Sequence, residues 1–234
     1  MNKSTKKESA AVLQEKIKQL ILKKRLKSGD LMPTENELIE QLGVSRSSLR
    51  EAIKSLEALH ILDIRHGVGT FVSAPSLAPM IKSLGFHAQL NLHNDCAQLR
   101  HIVDIREVLE YGFAPLALTK ITEEDVVVLR KLLNSMEKNA LAQKFSAKDE
   151  YQLHLQMYAP LNNPLLLQYL DAFWQIYQQV EKQLPPLSRS AQQWAMLHRE
   201  LVDGIEARDL TRVNQAILCY FQTLRARLAL FQAQ

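Results

Sequence analysis

Between Pro33 and Val72 the apolar positions keep helical spacing through two short stretches and then alternate. At about 100° per residue, Leu49, Ala52, Ile53, Leu56 and Leu59 fall on one flank of a helix, whereas Arg46, Arg50 and Lys54 gather on the polar flank. The pattern predicts a helix that packs with one side and leaves the other free, running from Ser45, a good N-cap, to about His60. A shorter helix precedes it. Thr34 and Glu37 have the Thr-x-x-Glu spacing of a capping box, in which each side chain satisfies an orphan backbone N–H. Leu42-Gly43-Val44 supplies the tight corner between the two helices. Beyond them, Leu62-Asp63-Ile64-Arg65 and Thr70-Phe71-Val72 alternate with period two around His66-Gly67-Val68-Gly69, which predicts a hairpin with a slim tip. A helix from Ala10 to Arg25 leads into this arrangement.

From about Leu92 onward the pattern is helical throughout. It places helices at Asp95 to Leu118 with a kink before Pro115, Thr122 to Asn139 behind a Thr-x-x-Asp cap, Ser146 to Tyr158, Pro164 to Gln183, Ser190 to Ala207, and Leu210 to Phe231. Asn162-Asn163-Pro164 and Leu184-Pro185-Pro186 mark turns. The expected fold is mainly α: an N-terminal winged helix-turn-helix at 8–74, a connecting segment at 75–91, and an all-α bundle at 92–234. The change of character at Ser73-Ala74-Pro75 marks the first boundary.

Length and composition agree with two modest cores: 234 residues, 47% hydrophobic. No signal-peptide pattern and no charge-free apolar run of about 18 residues occurs, so a soluble cytoplasmic protein without a membrane partner is expected. Cys96 and Cys219 lack a Cys-x-x-Cys spacing and read as small buried hydrophobes. Residues 1–75 hold 13 Lys+Arg against 9 Asp+Glu, and residues 76–234 hold 16 against 16, so the net charge of +4 sits on the first third. Part of the excess lies on Lys3, Lys6 and Lys7. Attraction to a polyanion is thereby localised there, moderate in size and sensitive to salt.

The chemistry of the second short helix fits duplex DNA. Arg46, Ser47, Ser48 and Arg50 at its start combine fork-shaped guanidinium groups, which match guanine edges or phosphates, with short hydroxyls that let the backbone approach. The hairpin tip carries no bulk beyond His66 and Val68, so it too can lie close to a DNA backbone.

Specific pieces of the chain resemble a known family. Val44-Ser45-Arg46 with Leu49-Arg50-Glu51-Ala52, and the wing His66-Gly67-Val68-Gly69-Thr70-Phe71-Val72, resemble the DNA-binding domain of GntR-family regulators. Ile105-Arg106-Glu107-Val108-Leu109-Glu110, Asn162-Asn163-Pro164-Leu165-Leu166 and His198-Arg199-Glu200-Leu201-Val202-Asp203-Gly204-Ile205 are similar to the FadR subfamily, whose ligand domain is a six- or seven-helix FCD-type bundle. The resemblance implies a ligand-responsive transcription factor without catalytic activity, a homodimer and usually a repressor, on a palindromic operator. Activation or dual regulation is the alternative within the family. DNA contacts are implied at Ser45, Arg46, Ser47, Arg50, His66 and Gly67, and Thr34, Asn36 and Ser48 complete the candidate interface. Asn36 departs from the family, which usually has an arginine there.

The ligand domain departs further. Many members hold a divalent metal with an acid four residues before a histidine and two more histidines on the last two helices. Here Glu150, His154, His198 and Tyr220 take those places. Glu150 and His154 share a helix face and could chelate one ion, but a neutral phenol is a poor zinc ligand. Three readings stay open: a divalent metal such as zinc held by Glu150, His154 and His198, completed by water or effector; a metal-free effector pocket with no cofactor; and buried polar residues without a binding role. Arg106 is the candidate clamp for a carboxylate effector, with an ion pair to Glu110, one turn on, as its competitor. Phe173, Trp174, Tyr177 and Trp194 read as core packing. A metal-dependent enzyme using Glu150, His154 and His198 is the rival from another class; it would leave the winged domain without a purpose, and no phosphate loop or nucleophile motif supports it.

Overall fold

The computed structural model describes residues 10–92 and 96–232, so Lys3, Lys6, Lys7, His93 and the predicted helix start at Asp95 lie outside the described residues. The chain divides into two compact units, Met1–Pro79 and Met80–Gln234.

In the first unit, α1 (Ala10–Lys23), α2 (Glu35–Leu42) and α3 (Arg46–Ala58) precede a hairpin of β1 (Leu62–Arg65) and β2 (Gly69–Val72). The Thr34 capping box is formed in both directions, and Gly43 ends α2 in the left-handed region at φ 66°, where a residue with a Cβ is strained. Ser45 caps α3 by accepting from the Ser48 N–H. Leu49, Ala52, Ile53 and Leu56 are buried as the spacing requires, against Leu13, Ile17, Ile21, Leu38 and Leu62. Leu59 is not: α3 ends at Ala58, Leu59 sits in the cap, and it is 54% exposed. The antiparallel register pairs Leu62 with Val72 and Arg65 with Gly69. A further edge, absent from the sequence reading, runs beside β2: Leu31 bridges Phe71, and Met32 N–H donates to the Thr70 carbonyl.

Most of the stretch 75–91 is helical, as α4 (Ala78–Asn91). Pro79 stands near its start, where a missing N–H costs nothing. The bundle follows: α5 (Ala97–Lys120), which continues through Pro115, α6 (Glu123–Leu141), α7 (Ala147–Tyr158), a 3-10 turn (Ala159–Leu161), α8 (Pro164–Glu181), α9 (Ala191–Glu206) and α10 (Leu210–Gln232). Thr122 with Asp125, Asn163, and Ser190 with Gln193 cap α6, α8 and α9. Arg130 on α6 pairs with Asp203 and Glu206 of α9, and Arg212 on α10 pairs with Glu200 and Asp203. Cys96 is buried, but Cys219 is only half-buried and its Sγ accepts from Gln215, so it is not the core residue expected. Among the described residues no helix is long and apolar enough to cross a membrane.

Candidate functional site

Two regions gather the candidate residues. In the first unit, Ser45 to Arg50 form the start of α3, Thr34 and Asn36 stand at the start of α2, and His66 and Gly67 form the hairpin tip, where Gly67 has φ 75°. Thr34 spends its hydroxyl on the capping box with Glu37. The Ser45 hydroxyl lies within hydrogen-bond reach of those of Ser47 and Ser48. Arg46 Nη2 donates to Asn36 Oδ1 at 2.8 Å, and Arg50 Nε lies 3.1 Å from both carboxylate oxygens of Glu35.

In the second unit, helical spacing delivers a buried polar cluster. Three pairs each lie one turn apart: Arg106 and Glu110 on α5, Glu150 and His154 on α7, Trp194 and His198 on α9. Tyr220 comes from α10, and every one of these residues is buried. Ligand atoms of Glu150, His154 and His198 lie within 4.8 Å of one another.

The hydrogen bonds fix one ring nitrogen of each imidazole as a donor. His154 Nδ1 lies 2.6 Å from Glu110 Oε2, and His198 Nδ1 lies 2.8 Å from the Trp194 carbonyl. Both partners only accept, so each Nδ1 carries a hydrogen, and in a neutral ring Nε2 is then the atom with the free lone pair. Neither Nε2 has a hydrogen-bond partner although both are buried. Burial pushes His198 down to about 4, which keeps it neutral at physiological pH. Burial alone would raise Glu110, but Arg106 and His154 outweigh it and hold the carboxyl down to about 2. Glu150 is oriented from both sides: Trp194 Nε1 donates to one oxygen at 2.8 Å and Tyr220 Oη to the other at 2.9 Å.

A carboxylate-bound imidazole, a carbonyl-bound imidazole and an oriented carboxylate, with two vacant Nε2 atoms, form a donor set that fits a divalent ion. A cavity of about 10 Å³ beside His154, His198 and Tyr220 has room for an ion or one water. Tyr220 does not take the place of the missing imidazole. Its hydroxyl is spent on Glu150, and burial lifts its pKa well above the ordinary value, so it acts as a neutral donor.

Arg106 is paired as its competitor reading had it, with Nε 2.6 Å from Glu110 Oε1, but its Nη2 is buried and without a partner. Its guanidinium stacks 4.8 Å from the Trp174 ring and 5.2 Å from that of Tyr220. Phe173, Trp174, Tyr177 and Trp194 are all buried, but packing is not their whole role. Trp194 holds Glu150, and Trp174 Nε1 is another buried donor without a partner. The Trp194-x-x-x-His198 spacing was the available signal for the first of these.

Comparison with known proteins accounts for both units. Residues 10–72 match the family described as bacterial regulatory proteins, gntR family, and residues 101–223 match the FCD domain. The chain is 26% identical over 223 residues to the Uxu operon transcriptional regulator of Escherichia coli (strain K12), covering 92% of this chain and 84% of that protein. It is 24% identical over 227 residues to the HTH-type transcriptional repressor NanR of Salmonella newport (strain SL254), covering 94% and 85%. Its fold is similar to that of Streptococcus agalactiae GntR, with a TM-score of 0.57 at 22% identity, covering 93% of this chain and all of that one. With a gntR-type winged domain at 10–72 followed by an FCD domain at 101–223, the chain is a transcriptional regulator, not an enzyme, and belongs to the gntR family.

Proposed function

We propose that this regulator is a cytoplasmic homodimeric repressor of the FadR subfamily that occupies a palindromic operator and leaves it when a small anionic metabolite enters the FCD domain. Each winged domain reads one half-site, with Ser45, Arg46, Ser47, Ser48 and Arg50 in the major groove and His66 and Gly67 against the backbone. Repression is the function named for NanR, and the recognition chemistry of α3 is what a repressor of this build needs.

The observation that carries the effector half is the set of unpartnered buried atoms: His154 Nε2, His198 Nε2 and Arg106 Nη2. Buried polar atoms left unmade cost about 1–3 kcal/mol each, so a core that keeps three together is organised for something that completes them. Glu150, His154 and His198 hold a divalent metal ion, which would give an effector oxygen a positive partner. Arg106 Nη2 anchors a carboxylate. Because the cavity is ion-sized, an effector enters only as the cluster opens, and occupancy is thereby tied to a change of conformation. On α8, which also carries Trp174, Gln179 accepts from Gln89 of α4 at 3.1 Å, so movement of α8 reaches the helix that leads to the winged domain.

The test is a thermal-shift screen of organic acids on metal-loaded wild type and on Arg106→Lys, which keeps the charge and loses the fork, followed by operator binding with each hit. A hit that stabilises wild type, fails to stabilise Arg106→Lys and weakens operator binding supports the reading. A stabilising acid that leaves operator affinity unchanged overturns the coupling.

A further inference from the structure

We infer that Glu35 and Asn36 are positioning residues for DNA reading: the first two residues of α2 hold the guanidinium groups of Arg50 and Arg46 in a reading pose, and so set specificity without supplying DNA affinity. The inference rests on the assignment of α3 to the major groove and deepens it.

The geometry is specific. Arg50 meets Glu35 through Nε at 3.1 Å from both oxygens and through Nη2 at 3.0 Å, a forked pairing across α2 and α3. Arg46 gives Nη2 to Asn36 Oδ1 at 2.8 Å. Both acceptors are fixed in place because the Thr34–Glu37 capping box locks the start of α2, so Glu35 and Asn36 occupy defined positions in its first turn. The α3 side is fixed equally, by the Ser45 cap and the buried Leu49 and Ala52.

Stability does not explain these contacts. The Arg50 and Glu35 side chains are 56% and 38% exposed, and exposed ion pairs contribute little to folding. What they remove is rotamer freedom: a long arginine already held in one pose loses less on docking a base edge, and a forked contact misaligned by the wrong base gains less. Glu35 also places a carboxylate among groups facing phosphates, which repels DNA wherever the Arg50 contact is not made. Discrimination by a repulsive element is the expected consequence. Asn36 performs the corresponding task for Arg46 without charge. An arginine at that position would meet Arg46 as a like charge and could not accept its hydrogen bond.

The experiment uses the full chain and a pool of duplexes randomised over about 20 base pairs, enough for two half-sites. Bound sequences are compared for wild type, Arg46→Ala, Arg50→Ala, Glu35→Gln and Asn36→Ala, and affinities for the selected and an unrelated duplex are measured against salt. Glu35→Gln is expected to lose sequence preference at the base pairs that Arg50→Ala affects, and Asn36→Ala at those that Arg46→Ala affects. The ratio of specific to nonspecific affinity should fall about three- to tenfold in each. Glu35→Gln should in addition bind unrelated DNA more tightly with a steeper salt slope, whereas Asn36→Ala keeps the wild-type slope. Thermal stability should be unchanged in both. If the arginine variants alter the selected sequence while Glu35→Gln and Asn36→Ala select the wild-type sequence with the wild-type ratio, the inference fails alone. If the arginine variants also select the wild-type sequence, the assignment of α3 fails with it.

Discussion

Tyr220 Oη donates to Glu150 Oε1 at 2.9 Å, so the residue that stands where the family resemblance leads one to expect a third imidazole acts on the Glu150 carboxylate instead. With Trp194 on the other oxygen, Glu150 is held by two neutral donors within the core, and the donor set for an ion is two nitrogens and one oriented carboxylate.

Zinc binding should therefore survive loss of the phenol but not loss of either imidazole. Tyr220→Phe is expected to weaken zinc affinity about tenfold by loosening Glu150, an effect of the size seen when a ligand's outer partner is removed. His198→Ala should abolish stoichiometric retention, and Tyr220→His should strengthen it by adding a nitrogen ligand. Titration calorimetry with zinc on chelator-treated protein, with elemental analysis, measures all three. Tight zinc binding by His198→Ala would remove this site from consideration.

The Arg106–Glu110 pair should be costly to break from one side. Glu110→Gln leaves a buried guanidinium without its counter-charge and keeps only one acceptor oxygen for the two donors Arg106 Nε–H and His154 Nδ1–H, so a loss of about 3–5 kcal/mol is expected. Replacing both residues by Met and Leu should recover most of that loss while eliminating the response to organic acids. Urea unfolding followed by tryptophan fluorescence reports on this unit, because Trp174 and Trp194 both lie in it and are the two tryptophans of the chain.

Acid should destabilise the chelator-treated helical domain in two stages. Folded His198 sits at about 4 against 6.5 for a free imidazole, so as pH falls from 6.5 towards 4 the unfolded chain takes up a proton that the folded chain refuses, and stability declines. Glu110, at about 2 against 4.5, contributes stability that is complete above pH 4.5 and is lost as pH falls through 2. The first stage is worth up to about 3 kcal/mol. His198→Asn should flatten the decline between pH 6.5 and 4; an unchanged slope in that variant would contradict the assignment.

On the DNA side, Arg46→Ala and Arg50→Ala should each cost about 1–3 kcal/mol of specific affinity while leaving the melting temperature unchanged, since both side chains are exposed. Asn36→Arg should raise affinity for unrelated DNA and steepen its salt dependence, by adding a phosphate partner while releasing Arg46. Competition titrations across a salt series separate the two effects.

Local chemistry made much of this protein readable in advance. The Thr34–Glu37 box, the Gly43 corner, the Ser45 cap and the period-two hairpin each depend on residues within a few positions of one another, and so do the caps at Thr122, Asn163 and Ser190. The helical spacing of Glu150 with His154, and of Arg106 with Glu110, placed these side chains on shared faces before any packing was known. Tertiary structure decided what spacing cannot carry. That Leu59 is exposed depends on where α3 stops, and that Leu31 joins the edge of β2 depends on the path of a loop. The tie from His154 to Glu110 spans 44 positions and that from Tyr220 to Glu150 spans 70. The hydrogen on His154 Nδ1, the neutral state of Tyr220 and the unmet Nη2 of Arg106 follow from which groups four helices bring together, whereas His198 Nδ1 is tied within its own helix to the Trp194 carbonyl; in a buried site a group's protonation is set by its neighbours and by the absence of water.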